Sequence, residues 1–271
     1  MPFLAQRYDV IVTADQADVA SDFWLRAIPQ VACSDNESAD NIRAVVHYDG
    51  STGTPETTGF DYTDGCEDED VSNLVPVVQK TVGTEEEQTI QTVTLGQVNN
   101  LFKWFLNGTT FLSDWDEPTL LQVASGDSSF NTSNAVIELP NAGEWMYVVI
   151  QTSFPVAHPI HLHGFDFFVL SQGTGLFSDD TELNLNNPPR RDVAMLPAGG
   201  HLVLAFETDN PGAWLMHCHI GWHTSEGFAL QFLVRESEIP ALLDEDTLRD
   251  TCSAWTSYAV SAGLEQEDSG V

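Results

Sequence analysis

His158-Pro159-Ile160-His161-Leu162-His163-Gly164 and, about fifty residues later, His217-Cys218-His219-Ile220-Gly221-Trp222-His223 hold six of the eight histidines of this 271-residue chain. Both segments sit in strand-like sequence, where successive side chains point to opposite faces. His161 and His163 therefore share one face, as do His217 and His219, and four imidazoles can converge on one pole. Cys218 has the opposite parity to its two histidine neighbours, which directs its sulfur toward a second site. His158 precedes Pro159, which favours an extended backbone, and its parity differs from that of the His161/His163 pair, so it can join Cys218. His223 follows Cys218 by five residues, a turn-sized step back to the same place.

Two imidazoles and a thiolate in a trigonal set, with a weak or missing axial ligand, describe a blue-copper electron-transfer site. Ten residues past Cys218 the loop reaches Phe228, an apolar axial neighbour that cannot coordinate. Such a neighbour leaves copper three-coordinate, favours Cu(I) and raises the reduction potential.

The two motifs, HPxHLHG and HCHxxWHxxxG, resemble those of the multicopper oxidases, most closely fungal laccases of ascomycete type. The resemblance covers essentially the whole chain but only the C-terminal half of such an enzyme. It implies that His158, Cys218 and His223 bind a type 1 copper, that His161 is a type 2 ligand, and that His163, His217 and His219 are type 3 ligands. It further implies one-electron oxidation of a small phenolic or aromatic-amine substrate. Electrons would pass through Cys218 to His217 and His219, and dioxygen would be reduced to water. One departure lies within the motif: Phe165 stands where the family usually has a further histidine, one that is not a copper ligand. A larger departure is the histidine count. The family's trinuclear cluster uses eight histidines, four of them from N-terminal cupredoxin domains, whereas His47 and His201 are isolated here and read as surface or satisfied side chains. The expectation is a chain that completes the type 1 site, supplies half of the oxygen site, and needs the missing N-terminal domains as partner. A non-enzymatic blue-copper electron carrier and an inactive truncated fragment are the alternatives.

Working outward toward the start of the chain, residues 7–13, 22–28 and 42–48 read as consecutive strands. Three strands are too few for a sandwich, which uses about seven. By resemblance, residues 1–50 are the remnant of a second cupredoxin domain, followed by an acidic linker over 51–72. Met1-Pro2-Phe3 opens no secretory signal, and no run is long enough to cross a membrane. With Cys218 assigned to copper, Cys33, Cys66 and Cys252 remain, an odd number that cannot pair without a remainder. The resemblance pairs Cys33 with Cys66 and ties Cys252 to the N-terminal domain; a free thiol or an intermolecular bridge stays open for the last.

With 41 acidic against 9 basic residues and a net charge of −32, the chain repels nucleic acid and anionic membranes. This composition suits the extracellular setting of the full-length family. Sequons at Asn36, Asn107 and Asn131 are candidate glycosylation sites.

Between the linker and the tail, strand-like runs recur at 88–95, 135–139, 145–151, 165–170, 193–196, 201–207, 213–219 and 228–234, separated by turn-rich segments. Eight short strands without helical periodicity predict an all-β, cupredoxin-type Greek-key β-sandwich spanning residues 73–236. Its aromatic residues, including Trp104, Phe105, Trp145, Phe167, Phe168 and Trp214, read as core packing. Trp222 reads as a shield over the ligand loop, and by the same resemblance the loop of Ala157–His158 and the residues around Phe177 and Trp222 line one wall of a substrate pocket. Residues 237–271 form an extension with a short helix expected from Pro240 to Asp250. Its ending, Asp268-Ser269-Gly270-Val271, resembles the plug that enters the solvent tunnel in ascomycete laccases.

Overall fold

The computed structural model describes residues 6–32, 35–38, 41–59, 61–65 and 69–271. Residues 7–70 and 71–271 form two units. In the first, β1 (Asp22–Arg26) and β2 (Arg43–His47) make an antiparallel pair with Asp22 opposite His47. The Asp22 carboxylate accepts hydrogen bonds from His47 Nδ1 at 2.6 Å and Ser51 Oγ at 2.8 Å. Trp24 Nε1 donates to the Pro55 carbonyl, and the Arg43 guanidinium lies 4.4 Å above the indole. Among the described residues the strand expected over residues 7–13 does not form: the stretch carries no ladder, and Val10, Ile11 and Val12 are exposed. Residues 51–59, 61–65 and 69–70 carry no regular element. The expected Cys33–Cys66 bridge lies outside the described residues.

The second unit begins with β3 (Glu87–Val98) and β4 (Leu101–Leu106), followed by α1 (Thr119–Ser125), β5 (Val136–Leu139), β6 (Trp145–Thr152) and β7 (His158–Leu162). Next come β8 (Phe167–Thr174), β9 (Arg190–Arg191), β10 (Val193–Leu196), β11 (Gly200–Glu207) and β12 (Gly212–Cys218). The helix α2 (Gly221–Ser225), β13 (Ala229–Val234) and α3 (Glu245–Ala262) complete it. Five strands form one sheet in the order β10-β7-β12-β13-β5, and six form the other in the order β4-β3-β6-β11-β8-β9. The all-β cupredoxin architecture is the expected one.

Alternation explains the layers. Along β6, Met146, Val148 and Ile150 point into the core between the sheets, as do Leu202, Leu204 and Phe206 on β11. The opposite parity, Tyr147, Val149, Val203 and Ala205, packs beneath Phe168, Leu170 and Val82, with Phe177 and Leu183 from the following loop. Both faces of these central strands are covered, so they read as nearly continuous apolar runs. Each fully buried large side chain, such as Phe206 or Ile150, contributes roughly 1.5–3 kcal/mol.

The eight expected strands match β3, β5, β6, β8, β10, β11, β12 and β13, with some ends shifted. The start of β8 moves from Phe165 to Phe167 because Gly164 takes a left-handed turn, φ +77°, against the Trp214 indole, which leaves no space for a Cβ. The terminal helix is later and longer than expected. Pro240 lies in a 3-10 segment, Glu236–Ala241, and α3 starts only where the Asp244 side chain accepts from Thr247 N at 3.1 Å. It stops at Gly263 in a left-handed cap. Among the described residues no helix is long and apolar enough to cross a membrane. Cys252, on α3, is buried as a free thiol, its pKa raised first by burial and then by the nearby Asp116 charge.

Candidate metal centres

The centres form where β7, β12 and the loop carrying α2 meet. Strands β7 and β12 pair antiparallel with His217 opposite His161 and Cys218 opposite Ile160. Across the end of this ladder, His219 N donates to the Pro159 carbonyl at 2.7 Å. The next turn, α2, brings His223 back to the Cys218 side.

The first cluster is His158, Cys218 and His223. Nδ1 of His158 and Nδ1 of His223 face one another at 3.0 Å, and the Cys218 sulfur lies 3.8 Å from the first and 3.6 Å from the second. The circle through a triangle with these sides has a radius of about 2 Å, close to the length of an imidazole–metal bond. His158 and Cys218 are both fully buried. Burial, and then the neighbouring His223, depress the His158 pKa to about 4, and burial also lowers that of His223. Burial likewise pushes the Cys218 thiol up to about 12. All three groups are thus held neutral and aimed at one point, where a cation would displace the thiol proton and take three ready donors.

Aromatic rings wall this cluster. Trp104, from β4, meets His158 edge-on at 4.9 Å and His223 at 4.6 Å between ring centroids. Phe228 lies 5.0 Å from the His158 ring and 5.8 Å from Trp104. Neither offers a donor, so the protein supplies two nitrogens and one sulfur, a set that fits copper and falls short of the four-ligand closure of structural zinc.

The second cluster lies on the opposite parity, beside an open cleft of about 290 Å³ that is lined in part by His161, His163, Asp166 and Asp192. Ligand atoms of His161, His163 and His217 lie within 4.8 Å of one another, with Nε2 of His163 and Nε2 of His217 only 3.1 Å apart. The His219 ring stands 5.8 Å from that of His161 and 5.7 Å from that of His217, outside the tight trio. Nδ1 of His161 donates to the Asp192 carbonyl at 2.6 Å, and Nδ1 of His217 donates to the Cys218 carbonyl at 2.8 Å. Both bonds fix the tautomer and leave Nε2 unprotonated. His217 falls to a pKa of about 4, mainly through burial, with the three neighbouring imidazoles adding to it against the Cys218 carbonyl bond. His163 is lowered by burial and by His161 and His219.

Five of the six histidines expected at these sites fall in the two tight clusters, His219 stands beside the second one, and His47 and His201 lie elsewhere: His47 bonds Asp22, and His201 bonds the Gly175 carbonyl at 2.9 Å. Phe165, the departure within the motif, packs on Phe206 and Trp214 and so belongs to the core. Sequence reading placed Trp104 in the core, which is correct, but missed that its indole contacts both imidazoles of the first cluster. It also missed Thr224, whose buried hydroxyl donates to the Cys218 carbonyl. The sequon residues Asn36, Asn107 and Asn131 are all exposed, and the Asn107 amide is in addition engaged with the Thr92 amide and the Ile90 carbonyl of β3.

A family model described as multicopper oxidase matches residues 112–238. Laccase-1 of Botryotinia fuckeliana is 45% identical over 99% of this chain, which spans 48% of that relative. Dihydrogeodin oxidase of Aspergillus terreus is 33% identical over 99% of the chain and 50% of the relative. The crystal structure of a laccase from Botrytis aclada superposes with a TM-score of 0.75 at 38% identity, over 93% of this chain and 48% of that one. The chain thus spans about half the length of the relatives it matches. Likeness over nearly its whole length, with the multicopper oxidase match falling on the strands that carry both clusters, makes this chain similar to about half of an ascomycete laccase.

Proposed function

We propose that this chain carries the electron-accepting site, and half of the oxygen-reducing site, of a laccase-like oxidase. The substrate would be a small phenol or aromatic amine and the electron acceptor dioxygen, which leaves as water. The observation that supports it most is the triangle of two imidazole nitrogens and one buried sulfur with an apolar fourth side. In this reading His158, Cys218 and His223 hold a type 1 copper, with Phe228 as a non-ligating axial neighbour. His161 serves a type 2 copper, and His163, His217 and His219 serve the type 3 pair. Copper would supply one-electron redox chemistry at the first site and dioxygen reduction at the second.

The chain's own groups do the rest. Trp104 and Phe228 wall the His158 side of the first cluster, which would strengthen the attraction between a bound cation and the Cys218 thiolate by excluding water. Cys218 is joined by peptide bonds to His217 and His219, so its sulfur and the second cluster's rings are separated only by covalent backbone. The hydrogen bond from His217 Nδ1 to the Cys218 carbonyl offers a second short connection. Asp192, through its carbonyl, holds the His161 ring so that Nε2 stays an acceptor. Four further imidazoles for the second site would come from N-terminal cupredoxin domains, in a longer product or a separate polypeptide, because His47 and His201 are committed elsewhere. In this reading residues 1–50 would belong to a second such domain and 73–236 to the third.

Copper titration of the chain, followed by visible absorption and electron paramagnetic resonance, tests this reading. One type 1 copper per chain, with little oxygen consumption until an N-terminal half is added, is the expected result. Four-electron reduction of dioxygen by the isolated chain, or failure to form a thiolate–copper chromophore, overturns it. An electron carrier would need only the first cluster; the packed imidazole trio on the other face favours the oxidase.

A further inference from the structure

We infer that the C-terminal tail positions the ligand loop, acting through Ser269 and Thr224, an inference that deepens the proposed copper function and rests on it for its chemical meaning. Helix α2 has only five residues. A single turn of helix is not stable by itself, and its last carbonyls have no partner within the helix. Here Gly227 N donates locally to the Thr224 carbonyl at 2.9 Å, and further partners come from far along the chain. Ser269 Oγ donates to the Thr224 carbonyl at 2.7 Å, and Ser269 N donates to the Ser225 carbonyl at 2.8 Å. The tail therefore caps the helix that presents His223.

The tail is itself held on several sides. Ser269 is 1% exposed, and its carbonyl accepts from Ser113 N at 2.8 Å. Trp115 Nε1 donates to the Gly270 carbonyl at 2.8 Å. Lys103, nearly buried on β4, donates from Nζ to the Glu267 carbonyl at 3.0 Å and pairs with the Glu226 carboxylate at 2.7 Å, which ties the tail to the end of the ligand loop. Gly270 has φ +77°, and a Cβ there would meet Trp115 Nε1 at 2.5 Å, so the close approach requires glycine.

Thr224 carries the constraint inward. While its carbonyl is held by Ser269, its hydroxyl donates to the Cys218 carbonyl and lies 3.5 Å from His217 Nδ1. That carbonyl is also the acceptor that orients the His217 ring. Ser269 is thus a positioning residue, two contacts removed from a ligand in each cluster.

The test uses the full chain and the substitution Ser269→Ala, with Ser257→Ala, at a hydroxyl that bonds only within α3, as the control. In the metal-free protein, Ser269→Ala is expected to raise amide hydrogen exchange across residues 221–228 about fivefold, the loss of one ordinary hydrogen bond. It is also expected to move the His217 ring-nitrogen resonances. In the copper-loaded protein it is expected to shift the thiolate–copper absorption and the paramagnetic hyperfine splitting at unchanged copper stoichiometry. Unchanged exchange in 221–228 overturns the anchoring. Raised exchange with unmoved His217 resonances overturns its transmission to the ligands. A wild-type chain that takes up no copper sinks the proposed function instead, while the two metal-free readouts still decide the inference.

Discussion

His217 Nδ1 donates to the carbonyl oxygen of Cys218 at 2.8 Å, so a ring of one cluster is oriented by the backbone of the residue whose sulfur serves the other. Disturbance of either residue should therefore register in both places, and each cluster can be probed through its neighbour.

Cys218→Ser is expected to abolish the intense visible absorption that appears on adding Cu(II), because a hydroxyl cannot replace the soft thiolate. A paramagnetic signal from copper at the imidazole trio should persist. The buried hydroxyl, left without a full set of partners, should cost roughly 1–3 kcal/mol in urea denaturation. Retention of the chromophore would remove Cys218 from the site.

Phe228→Met places a thioether where the ring now stands against His158. Swapping one large apolar side chain for another should change stability by less than about 1.5 kcal/mol. The reduction potential of the first copper should fall, since a sulfur on the axial side stabilises Cu(II). Redox titration of both proteins provides the check, and an equal or higher potential in the variant would show that Phe228 does not face the metal.

Trp104→Ala empties a site that is 6% exposed and touches both imidazoles of the first cluster. Thermal or denaturant unfolding should show a loss of roughly 3–5 kcal/mol, and copper affinity should drop with it as water reaches the ligands. Trp104→Phe, which keeps a ring at the same place, should retain most of both.

The clustering of these side chains was legible because strand parity is local: His161 and His163, His217, and Cys218 are sorted onto faces by odd and even numbering alone. The central strands were legible because Met146–Ile150 and Leu202–Phe206 are apolar in unbroken runs. Other features depend on partners distant in sequence. Residues 7–13 have strand composition yet form no ladder among the described residues, and β4 hides its pattern because Lys103 points inward to Glu226 and the tail. Helix α3 was misplaced because Pro240 resembles a first helical residue, whereas the Asp244 side chain is what caps the helix. Trp104 and Ser269 gave no local signal at all; their roles arise from contacts with residues more than forty positions away.

Acid should loosen the first unit through Asp22. Its pKa lies below the ordinary carboxylate value of 3.8 because His47 and Ser51 hydrogen-bond the ionised form. A depressed folded-state pKa means stabilisation that is present above the unfolded value and lost as pH falls below about 4 toward the folded value. Amide exchange in β1 and β2 should accelerate over that range, and in Asp22→Asn the extra dependence should vanish, leaving a uniformly less protected hairpin. A wild-type profile flat down to pH 2 would contradict the assignment.

Gly227→Ala should damage the ligand loop more than a surface substitution would. Gly227 has φ +92°, and a Cβ there would run into Thr110 Oγ1 and approach Phe111 N at 3.1 Å. Backbone strain alone should cost roughly 1–3 kcal/mol. Differential scanning calorimetry, with Gly221→Ala as a control at a position open to solvent, checks the outcome.

The pairing of β7 with β12 makes the two metal clusters all-or-none. Sliding one strand past the other by a single residue would exchange its faces, sending sulfur toward the cleft and imidazoles toward the apolar wall. Neither cluster could then form, so a misaligned chain would be marked by complete failure to bind copper at either one. With copper bound as proposed, the ladder that sets His217 opposite His161 would act as a proofreading element: metal uptake would report that the sandwich has zipped in the correct alignment.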